Sequence, residues 1–478
     1  MKLLQTLTAV LLLFFSSTLF AQTQLGNTMY GQNSFSYFGR TVSMPDATTI
    51  AVGAPASSGG GLVSVYTLIN NVWVQKGLDI SDGGTYDFGE SVSMPDANTV
   101  AMSCQFTGNV HVYHWLANSW QQKGIEIGGG VGGTAGGGSG RENTSVSMPD
   151  ANTLAIGNPT AAAGGNTRVY TWVGNSWMQK GATIQGEAGG DLSGCSVSMP
   201  DANTIAIGAV HNDGGANNGG HTRVYEWSGT SWLQKGLDID GLLALEKSGM
   251  AVSMPDANTL AVGAPEGLAP SGGRTRIFEW VANAWSQKGS DLIGTQTGME
   301  FGGAVSMPNA NTIAIGAKEG EDATISPTVK GGKILIYEWL NNSWIQKGIE
   351  INGPKGNDQF GIAVSMPDAN TFAGGAHYGH DNPIPATLGY AKVFGFAVPL
   401  HLPSISLEKN ILEIYPNPVT DVVRIDIDAE ELRVLNPLGE RVLSSVNSEI
   451  NISSLAAGLY FIQATKDGQV YTGQILKK

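Results

Sequence analysis

Histidine, cysteine and the carboxylates are the side chains that most often carry chemistry, and this 478-residue chain has seven His and two Cys. Two of the histidines, His377 and His380, lie three residues apart and are followed by Asp381. Two imidazoles beside a carboxylate are a ligand set that a metal ion accepts. The segment has no helical pattern that would bring both imidazoles to one face. We therefore predict a solvated polar loop there and no metal site.

The acidic residues form no recognisable catalytic pair. Glu319, Glu321 and Asp322 lie close together in the chain, but hydrolysis of a polysaccharide requires two carboxylates about 5–10 Å apart in a cleft. These three residues fit a solvated loop better. Cys104 and Cys195 replace small residues of a repeated pattern, which predicts buried packing rather than a reactive thiol. We predict no catalytic residue, and a protein that is not an enzyme.

The overall charge argues against two classes of partner. The chain has 26 Lys and Arg against 40 Asp and Glu, which gives a formal net charge of −14. Nucleic acids and anionic membranes are bound through cationic patches, so we expect neither as a partner. Two cysteines are too few for a disulfide framework, whereas a hydrophobic content of 41% is sufficient for a buried core.

The first 21 residues have the pattern of a secretory signal peptide. A lysine at position 2 precedes an apolar run over 3–20, which ends at the small residue Ala21. Cleavage is predicted between Ala21 and Gln22. No later segment has the run of ~20 apolar residues that a membrane-spanning helix requires. We therefore expect an exported protein without a transmembrane helix.

A seven-fold repeat organises the chain from residue 22 to residue 398. Each copy reads as a short strand, a Pro-Asp-Ala-Asn turn capped by its own aspartate, a second strand, a variable loop, and two further strands. Four antiparallel strands per repeat of about 50 residues are typical of a β-propeller blade. We predict an all-β protein with a seven-bladed β-propeller of four-stranded blades. The motif Ser-Met-Pro-Asp-Ala begins at Ser43, Ser93, Ser147, Ser198, Ser253 and Ser365, and a seventh copy at Ser306 has Asn309 in place of Asp.

Tryptophans recur five residues apart on either side of a short turn. A two-residue hairpin would place the two indoles of each pair directly opposite each other. The regularity favours packing between blades over stacking against a sugar. The pairs are Trp115/Trp120, Trp172/Trp177, Trp227/Trp232, Trp280/Trp285 and Trp339/Trp344, with Leu68/Trp73 as the variant in the first repeat.

The last repeat lacks its fourth strand, and the start of the mature chain supplies a matching segment. Residues 24–31 align with residues 346–353, and a Phe-Gly pair follows both segments at the same distance. We predict that this N-terminal segment forms the outermost strand of the last blade and so closes the ring.

Phe38-Gly39 followed by Gly53-Ala54-Pro55, and Phe301-Gly302 followed by Gly316-Ala317, resemble the FG-GAP repeat of integrin-α-type propellers. Some repeats of that family carry an Asp-rich calcium loop between the first two strands. Here the same place holds a four-residue turn with one carboxylate, whereas calcium requires 6–8 oxygen ligands. We therefore predict no calcium site and no cofactor.

The variable loops follow the second and fourth strands and so emerge on one face of the propeller. A rigid scaffold with variable loops on one face is suited to binding. The longest of these loops are 127–141, 210–220, 318–331 and 377–389. The candidate ligand-binding residues on them are His211, Asp213, Glu319, Asp322, His377, His380 and Asp381.

A Pro- and Ser-containing linker over 399–410 precedes a β-rich tail over 411–478, for which we predict a small β-sandwich. This tail resembles the type A C-terminal sorting domain of the type IX secretion system of Bacteroidetes. The resemblance implies export through the outer membrane by that machinery, removal of the tail, and attachment to the cell surface or release. An ordinary adhesive β-sandwich is the alternative. The motif residues are Tyr415, Pro416, Asn417, Pro418, Gly439, Gly458 and Tyr460.

These features together predict a secreted or cell-surface protein that binds a glycan or a protein through its loop face. Two alternatives remain open at this point. One is an extracellular polysaccharide hydrolase with carboxylates in the central channel, and the other is a structural component of a surface layer.

Overall fold

The computed structural model describes residues 22–57, 60–81, 83, 87–104, 107–128, 144–266, 272–321, 330–379, 388–396, 412–436, 440–467 and 469–478. The chain divides into two compact units, Met1–Val398 and Pro399–Lys478. The predicted signal peptide, including Ala21, and the linker 399–410 lie outside the described residues. β-Strands are the regular secondary structure of the described residues, and none of these residues forms a helix long and apolar enough to cross a membrane.

The described part of the first unit forms seven antiparallel sheets in which the main strands pair in chain order, and a short fifth strand in blades 3 to 6 pairs with the third strand. This is the predicted seven-bladed propeller. The N-terminal strands are β1 (Gln22–Gln24) and β2 (Met29–Tyr30). Blade 1 contains β3 (Thr41–Asp46), β4 (Thr49–Ala54), β5 (Leu62–Ile69) and β6 (Val72–Gln75). Blade 2 contains β7 (Phe88–Asp96), β8 (Thr99–Cys104), β9 (Val110–Leu116) and β10 (Ser119–Gln122). Blade 3 contains β11 (Ser145–Asp150), β12 (Thr153–Asn158), β13 (Asn166–Val173), β14 (Ser176–Gln179) and β15 (Ile184–Gln185).

The remaining blades repeat this order. Blade 4 contains β16 (Ser193–Asp201), β17 (Thr204–Ala209), β18 (His221–Trp227), β19 (Trp232–Gln234) and β20 (Ile239–Asp240). Blade 5 contains β21 (Ala251–Asp256), β22 (Thr259–Ala264), β23 (Arg274–Val281), β24 (Ala284–Gln287) and β25 (Leu292–Ile293). Blade 6 contains β26 (Phe301–Asn309), β27 (Thr312–Ala317), β28 (Lys333–Leu340), β29 (Ser343–Gln346) and β30 (Ile351–Asn352). Blade 7 contains β31 (Ala363–Asp368), β32 (Thr371–Ala376) and β33 (Tyr390–Phe396).

The repeated turn between the first two strands is capped as predicted. In blade 4, Asp201 Oδ1 accepts a hydrogen bond of 2.7 Å from the Asn203 amide. The same bond forms in all seven blades, and in blade 6 the Asn309 side chain replaces the aspartate. The repeated acidic residue thus holds the turn that reverses the chain.

A ring of hydrogen bonds joins every blade to the next through the serine of the repeated motif. The Met254 amide of blade 5 donates to Ser198 Oγ of blade 4 at 2.9 Å. Equivalent bonds of 2.9–3.0 Å link all seven neighbouring pairs, and the bond from the Met44 amide to Ser365 Oγ joins blade 1 to blade 7. The Ser-Met pair therefore recurs because each blade supplies one partner to each neighbour.

The glycines of the Phe-Gly and Gly-Ala-Pro motifs lie where neighbouring blades approach most closely. A Cβ atom at Gly208 of blade 4 would overlap the carbonyl oxygen of Gly249 in blade 5. Gly53 stands in the same relation to Gly89, and Gly375 of blade 7 to Gly39 of blade 1. Only glycine leaves room for the neighbouring backbone at these positions.

Tryptophan pairs and lysines join the blades near the outer edge of the propeller. Trp227 and Trp232 are register partners, as predicted, with ring centroids 5.3 Å apart. The Trp232 Nε1–H group donates to the carbonyl oxygen of Lys180 in blade 3 at 2.9 Å, and Lys180 Nζ lies 5.2 and 5.3 Å from the two ring centroids. Lys180 Nζ also donates to Asn203 Oδ1. The paired indoles therefore contribute to packing between blades, as the regular spacing predicts.

The N-terminal strand completes blade 7, as predicted from the sequence match. β1 pairs antiparallel with β33, with Gln22 opposite Phe396, and β2 pairs with the other end of β33. Met29 is buried in a cluster with Phe38 and Trp73 of blade 1. The propeller is thus closed by pairing its first strands with its last strand.

The second unit has two antiparallel sheets. The first contains β34 (Ile414–Tyr415), β35 (Val422–Ile425) and β38 (Glu449–Asn451), and the second contains β36 (Glu431–Leu435), β37 (Arg441–Ser445), β39 (Gly458–Lys466) and β40 (Gln469–Lys477). Side chains from both sheets, including Val423, Ile450, Val434 and Ile462, form one buried cluster. This is the arrangement of a small β-sandwich.

Candidate functional site

The two ends of the propeller differ in the length of their connections. Because the strands of each blade alternate in direction, the links between strands one and two and between strands three and four share one end, which we call the turn face. The links between strands two and three and between successive blades share the other end, which we call the loop face. The turn-face links are short in all seven blades, whereas the loop-face links differ in length and sequence.

The central channel is lined by the innermost strand of each blade. It encloses a cavity of about 240 Å³. The repeated valine of each blade faces it, and the residues one and two positions earlier are mostly small or apolar. The channel lining is therefore mixed, because the hydroxyl groups of Thr41, Ser91, Ser145 and Ser196 lie beside the valines.

One ion pair lies at the loop-face end of the channel. Arg40 of blade 1 and Glu90 of blade 2 both line it, and Arg40 Nη2 lies 2.8 Å from Glu90 Oε1. Arg40 Nε also donates to the same oxygen at 2.9 Å. Among the described residues that line this cavity, Glu90 supplies the one carboxylate, and Arg40 neutralises it.

The structure distributes the predicted ligand-binding residues over three blades. His211 and Asp213 lie in the 210–220 loop of blade 4, where Asp213 Oδ1 accepts a hydrogen bond of 2.7 Å from the Asn218 amide. Glu319 lies in blade 6, where its Oε1 accepts a bond of 2.6 Å from Gln359. Asp322, His380 and Asp381 lie outside the described residues. The described members of this set do not form one cluster.

The prediction of a solvated loop at His377 is wrong for this residue. The His377 side chain is buried, with the residue only 4% exposed. Its ring lies edge-on to Tyr37 at a centroid distance of 5.5 Å and against Tyr378 at 4.1 Å. Contact with two aromatic rings, which the local sequence pattern does not reveal, takes the imidazole out of solvent.

The predicted burial of Cys104 and Cys195 is confirmed.

A cluster that the sequence analysis missed lies on the loop face of blade 4. His221 begins β18, Asp238 precedes β20, and Glu187 lies in the link from blade 3 to blade 4. His221 Nδ1 lies 3.5 Å from Asp238 Oδ2 and 3.8 Å from Glu187 Oε2. The three ligand atoms all lie within 4.8 Å of one another. A nitrogen and two carboxylate oxygens in this arrangement are able to hold a metal ion.

The imidazole of this cluster is deeply buried. His221 is 1% exposed, and its Nδ1 atom has no hydrogen-bond partner. Burial lowers the pKa of His221 and Arg223 lowers it further, whereas Asp238, Glu187 and Asp191 act in the opposite direction. The net effect favours the neutral imidazole, which is the form that ligates metals.

Neighbouring side chains hold Glu187 in place. Arg223 Nη1 lies 3.4 Å from Glu187 Oε1, and Asn212 Nδ2 donates to Glu187 Oε2 at 3.2 Å. Asn212 also donates to Asp191 Oδ2 at 3.1 Å, which fixes the amide between two carboxylates. These contacts orient a carboxylate that is otherwise partly exposed.

The sorting-motif residues are described in the second unit except Gly439, which lies outside the described residues. Tyr415, Pro416, Asn417 and Pro418 are exposed. Asn417 Nδ2 donates to the Gln474 carbonyl oxygen at 2.8 Å, and the Leu476 amide donates to Asn417 Oδ1 at 3.0 Å. The first motif is thereby bonded to the last strand of the chain.

The later motif residues fix a turn before β39. The Tyr460 hydroxyl donates to the Ala456 carbonyl oxygen at 3.1 Å. Gly458 begins β39, where it pairs with Lys477 near the end of the chain. The separated motifs therefore belong to one folded sandwich.

Comparison with solved structures finds distant propellers. The WD40 domain of Toxoplasma gondii coronin is 9% identical over 79% of this chain and 88% of that chain, with a TM-score of 0.48. A 6-phosphogluconolactonase-like protein of Bacteroides uniformis is 9% identical over 66% and 86%, with a TM-score of 0.47. The periplasmic gluconolactonase of Pseudomonas aeruginosa is 14% identical over 65% and 84%, with a TM-score of 0.44.

Sequence comparison assigns the second unit. No curated protein is significantly similar to the chain. Residues 413–478 match the family model of the secretion system C-terminal sorting domain. This match agrees with the motifs that begin at Tyr415 and with the two-sheet sandwich that they occupy. The protein therefore carries a sorting domain of the type IX secretion system at its C-terminal end, which indicates secretion and attachment to the outer cell surface.

Proposed function

We propose that this protein is a binding or adhesion protein of the cell surface, and that its loop face recognises a glycan or a protein. The observation that carries the proposal is the contrast between the two faces. The turn face repeats the same contacts seven times, whereas the loop face differs from blade to blade on an unchanged scaffold. Variation confined to one face is typical of binding propellers and other repeat proteins.

The central channel supports binding in preference to catalysis. A polysaccharide hydrolase requires two carboxylates about 5–10 Å apart. The described lining of the channel offers Glu90 alone, and Arg40 pairs with it. We therefore propose that the protein is not an enzyme. We also favour recognition over a purely structural role in a surface layer, because a structural component does not require seven different loops.

Two further features fit this proposal. Gln22, the proposed first residue of the mature chain, begins β1 and pairs with Phe396, so cleavage after Ala21 would leave the closing strand intact. The propeller is proposed to be of the FG-GAP type, because Phe38 and its equivalents Phe88, Phe301 and Phe360 are all at most 2% exposed. The glycines that follow them lie at the blade interfaces.

Binding of the purified protein to a panel of polysaccharides and matrix proteins tests the proposed function. Analysis of the products in the same reactions separates binding from catalysis. We expect saturable binding to at least one ligand and no shortened products. Release of shortened sugars would show a hydrolase, whereas strong self-association without binding to the panel would favour a structural component.

A further inference from the structure

We propose that Glu187, His221 and Asp238 form a site for one divalent metal ion of the Zn²⁺ class on the loop face of blade 4. The proposal goes beyond ligand recognition by the propeller. The proposed site lies on the loop face, whereas the turn that corresponds to the calcium loop of FG-GAP repeats lies on the turn face.

The spacing of the three ligand atoms fits a small tetrahedral ion. Zn²⁺ bonds of 2.0–2.1 Å to nitrogen and oxygen place neighbouring ligand atoms of a tetrahedron about 3.3–3.4 Å apart. The observed separations from His221 Nδ1 are 3.5 Å to Asp238 Oδ2 and 3.8 Å to Glu187 Oε2. The third separation, between the Glu187 and Asp238 oxygens, is within 4.8 Å, so the two carboxylates must move toward the imidazole and toward each other to complete a tetrahedral set. Three protein ligands leave the fourth position for water or for an atom of a bound partner.

The burial of the His221 imidazole is a second observation that supports a metal site. His221 Nδ1 lacks a hydrogen-bond partner although the residue is 1% exposed. Leaving a buried polar atom unsatisfied costs about 1–3 kcal/mol. At 3.5 Å, the Asp238 oxygen is too distant for a good hydrogen bond. A metal ion between the imidazole and the carboxylates satisfies all three groups.

The position of His221 holds an uncharged residue in blades 1, 3 and 7, namely Leu62, Asn166 and Tyr390, but a cation in the two blades that follow blade 4. His221 pairs with Ala209, the last residue of the second strand, and Arg274 pairs with the equivalent Ala264. Arg274 Nη1 lies 3.0 Å from Asp291 Oδ2, and Asp291 precedes β25 as Asp238 precedes β20. In blade 5 a positive side chain therefore faces the carboxylate.

Blade 6 repeats the arrangement with a different cation. Lys333 occupies the position of His221, and its Nζ lies 2.9 Å from Glu350 Oε1. Blade 4 thus has a histidine where its two successors have a permanent cation. A metal ion bound in blade 4 would take the place that the Arg274 and Lys333 cations hold in blades 5 and 6.

The charges around His221 also favour a divalent cation. Asp238, Glu187 and Asp191 act on the imidazole together with Arg223, so three carboxylates face one guanidinium group. More carboxylates than cations therefore act on the imidazole, which favours a cation over an anion at this site. Arg223 opposes metal binding by its charge, but its contact with Glu187 Oε1 leaves Oε2 directed toward His221.

The chemical types of the three ligands determine which metal ion the site prefers. An imidazole nitrogen with two carboxylates suits Zn²⁺ and neighbouring transition metals, whereas Ca²⁺ and Mg²⁺ prefer sites made of oxygen alone. We therefore expect Zn²⁺ to bind and Ca²⁺ not to bind at this cluster.

Calorimetric titration of tag-free, chelator-stripped full-length protein with ZnCl₂ tests the proposal. We expect uptake of one Zn²⁺ per chain, and no equivalent uptake in a parallel titration with CaCl₂. His221→Gln and Asp238→Asn should each lose this uptake. Asp291→Asn is the matched control, because it removes a carboxylate from the same position of blade 5 and should retain one equivalent.

A fourth variant separates loss of the site from loss of the fold. His221→Arg gives blade 4 the cation that blade 5 already has. It should take up no Zn²⁺ and melt at a temperature that does not change with chelator, whereas the melting temperature of the zinc-loaded natural protein should fall on chelation. Failure of the natural protein to take up Zn²⁺, or equal uptake by His221→Gln, would overturn the proposal. Because no glycan or protein ligand is present, either result leaves the proposed binding function untouched.

Discussion

The turn face and the loop face of this propeller are built from the same strands, but contacts repeat from blade to blade on the turn face and differ from blade to blade on the loop face. On the turn face, the aspartate cap, the Ser-Met ring and the Lys–Trp contacts recur around the ring with nearly constant distances. On the loop face, equivalent positions of successive blades hold His221, Arg274 and Lys333. We infer that the contacts that recur around the ring stabilise it, whereas side chains that occur in one blade only are candidates for function.

At the interface between blades 2 and 3, the two residues that replace the repeated glycines differ from the pattern together. Six blades have glycine at the position where the next blade's backbone approaches, and blade 2 has Ser103 instead. The next blade departs at the matching place, where the usual glycine is replaced by Asn143, which lies outside the described residues. Ser103 Oγ donates to the Thr144 carbonyl oxygen of blade 3 at 2.9 Å. A hydrogen bond thus replaces close backbone packing between these two blades.

The largest predicted effect comes from opening the ring. Deletion of residues 22–30 removes β1 and β2, exposes the edge of β33 and uncovers the cluster around Met29. Burial of the Met29 side chain alone contributes about 1.5–3 kcal/mol. We expect a clear fall in the melting temperature measured by circular dichroism.

A peptide of residues 22–30 provides the control for this deletion. Added in excess to the shortened protein, it should raise the melting temperature again because it can pair with β33. An unchanged melt after the deletion would contradict the assignment of the N-terminal segment as the closing strand.

The second effect tests close packing between blades. Gly208→Ala places a methyl group against the Gly249 carbonyl oxygen, which belongs to backbone that cannot rotate away. Overpacking of this kind costs about 1–3 kcal/mol, and we expect that loss in denaturant unfolding. Gly189→Ala is the matched control, because nothing lies within 4 Å of its Cβ and the stability should stay within about 0.5 kcal/mol. Equal stability of the two variants would contradict the account of the repeated glycine.

The smallest predicted loss of stability comes from changing one indole of a tryptophan pair. Trp232→Phe removes the hydrogen bond to the Lys180 carbonyl oxygen while retaining an aromatic ring. We expect a loss of about 0.5–1.5 kcal/mol in the free energy of unfolding. Trp227→Phe, made in the same pair, should lose less, because the described hydrogen bonds from indole groups include Trp232 but not Trp227. A larger loss for Trp227→Phe would show that ring area, and not the hydrogen bond, dominates this contact.

The sequence predicts the scaffold well because its determinants are local and repeated. The turn caps, the opposed Trp227 and Trp232, and the closing role of β1 all follow from spacing along the chain. The metal-ligand cluster does not follow, because Glu187, His221 and Asp238 come from three separate segments of chain. An alignment of the repeats offers one signal, since a histidine in blade 4 replaces the cation of blades 5 and 6.

Blocking each face in turn tests whether the loop face is the binding surface. Cys104 and Cys195 are buried, so a single cysteine introduced at the surface can be labelled selectively with a bulky polyethylene glycol maleimide. Asp213→Cys places the label on the loop face of blade 4, and Thr230→Cys places it on the turn face of the same blade, both at exposed positions. We expect the loop-face label to weaken binding to the ligand found in the panel and the turn-face label to leave it unchanged. Loss of binding from the turn-face label alone would show that the loop face is not the binding surface.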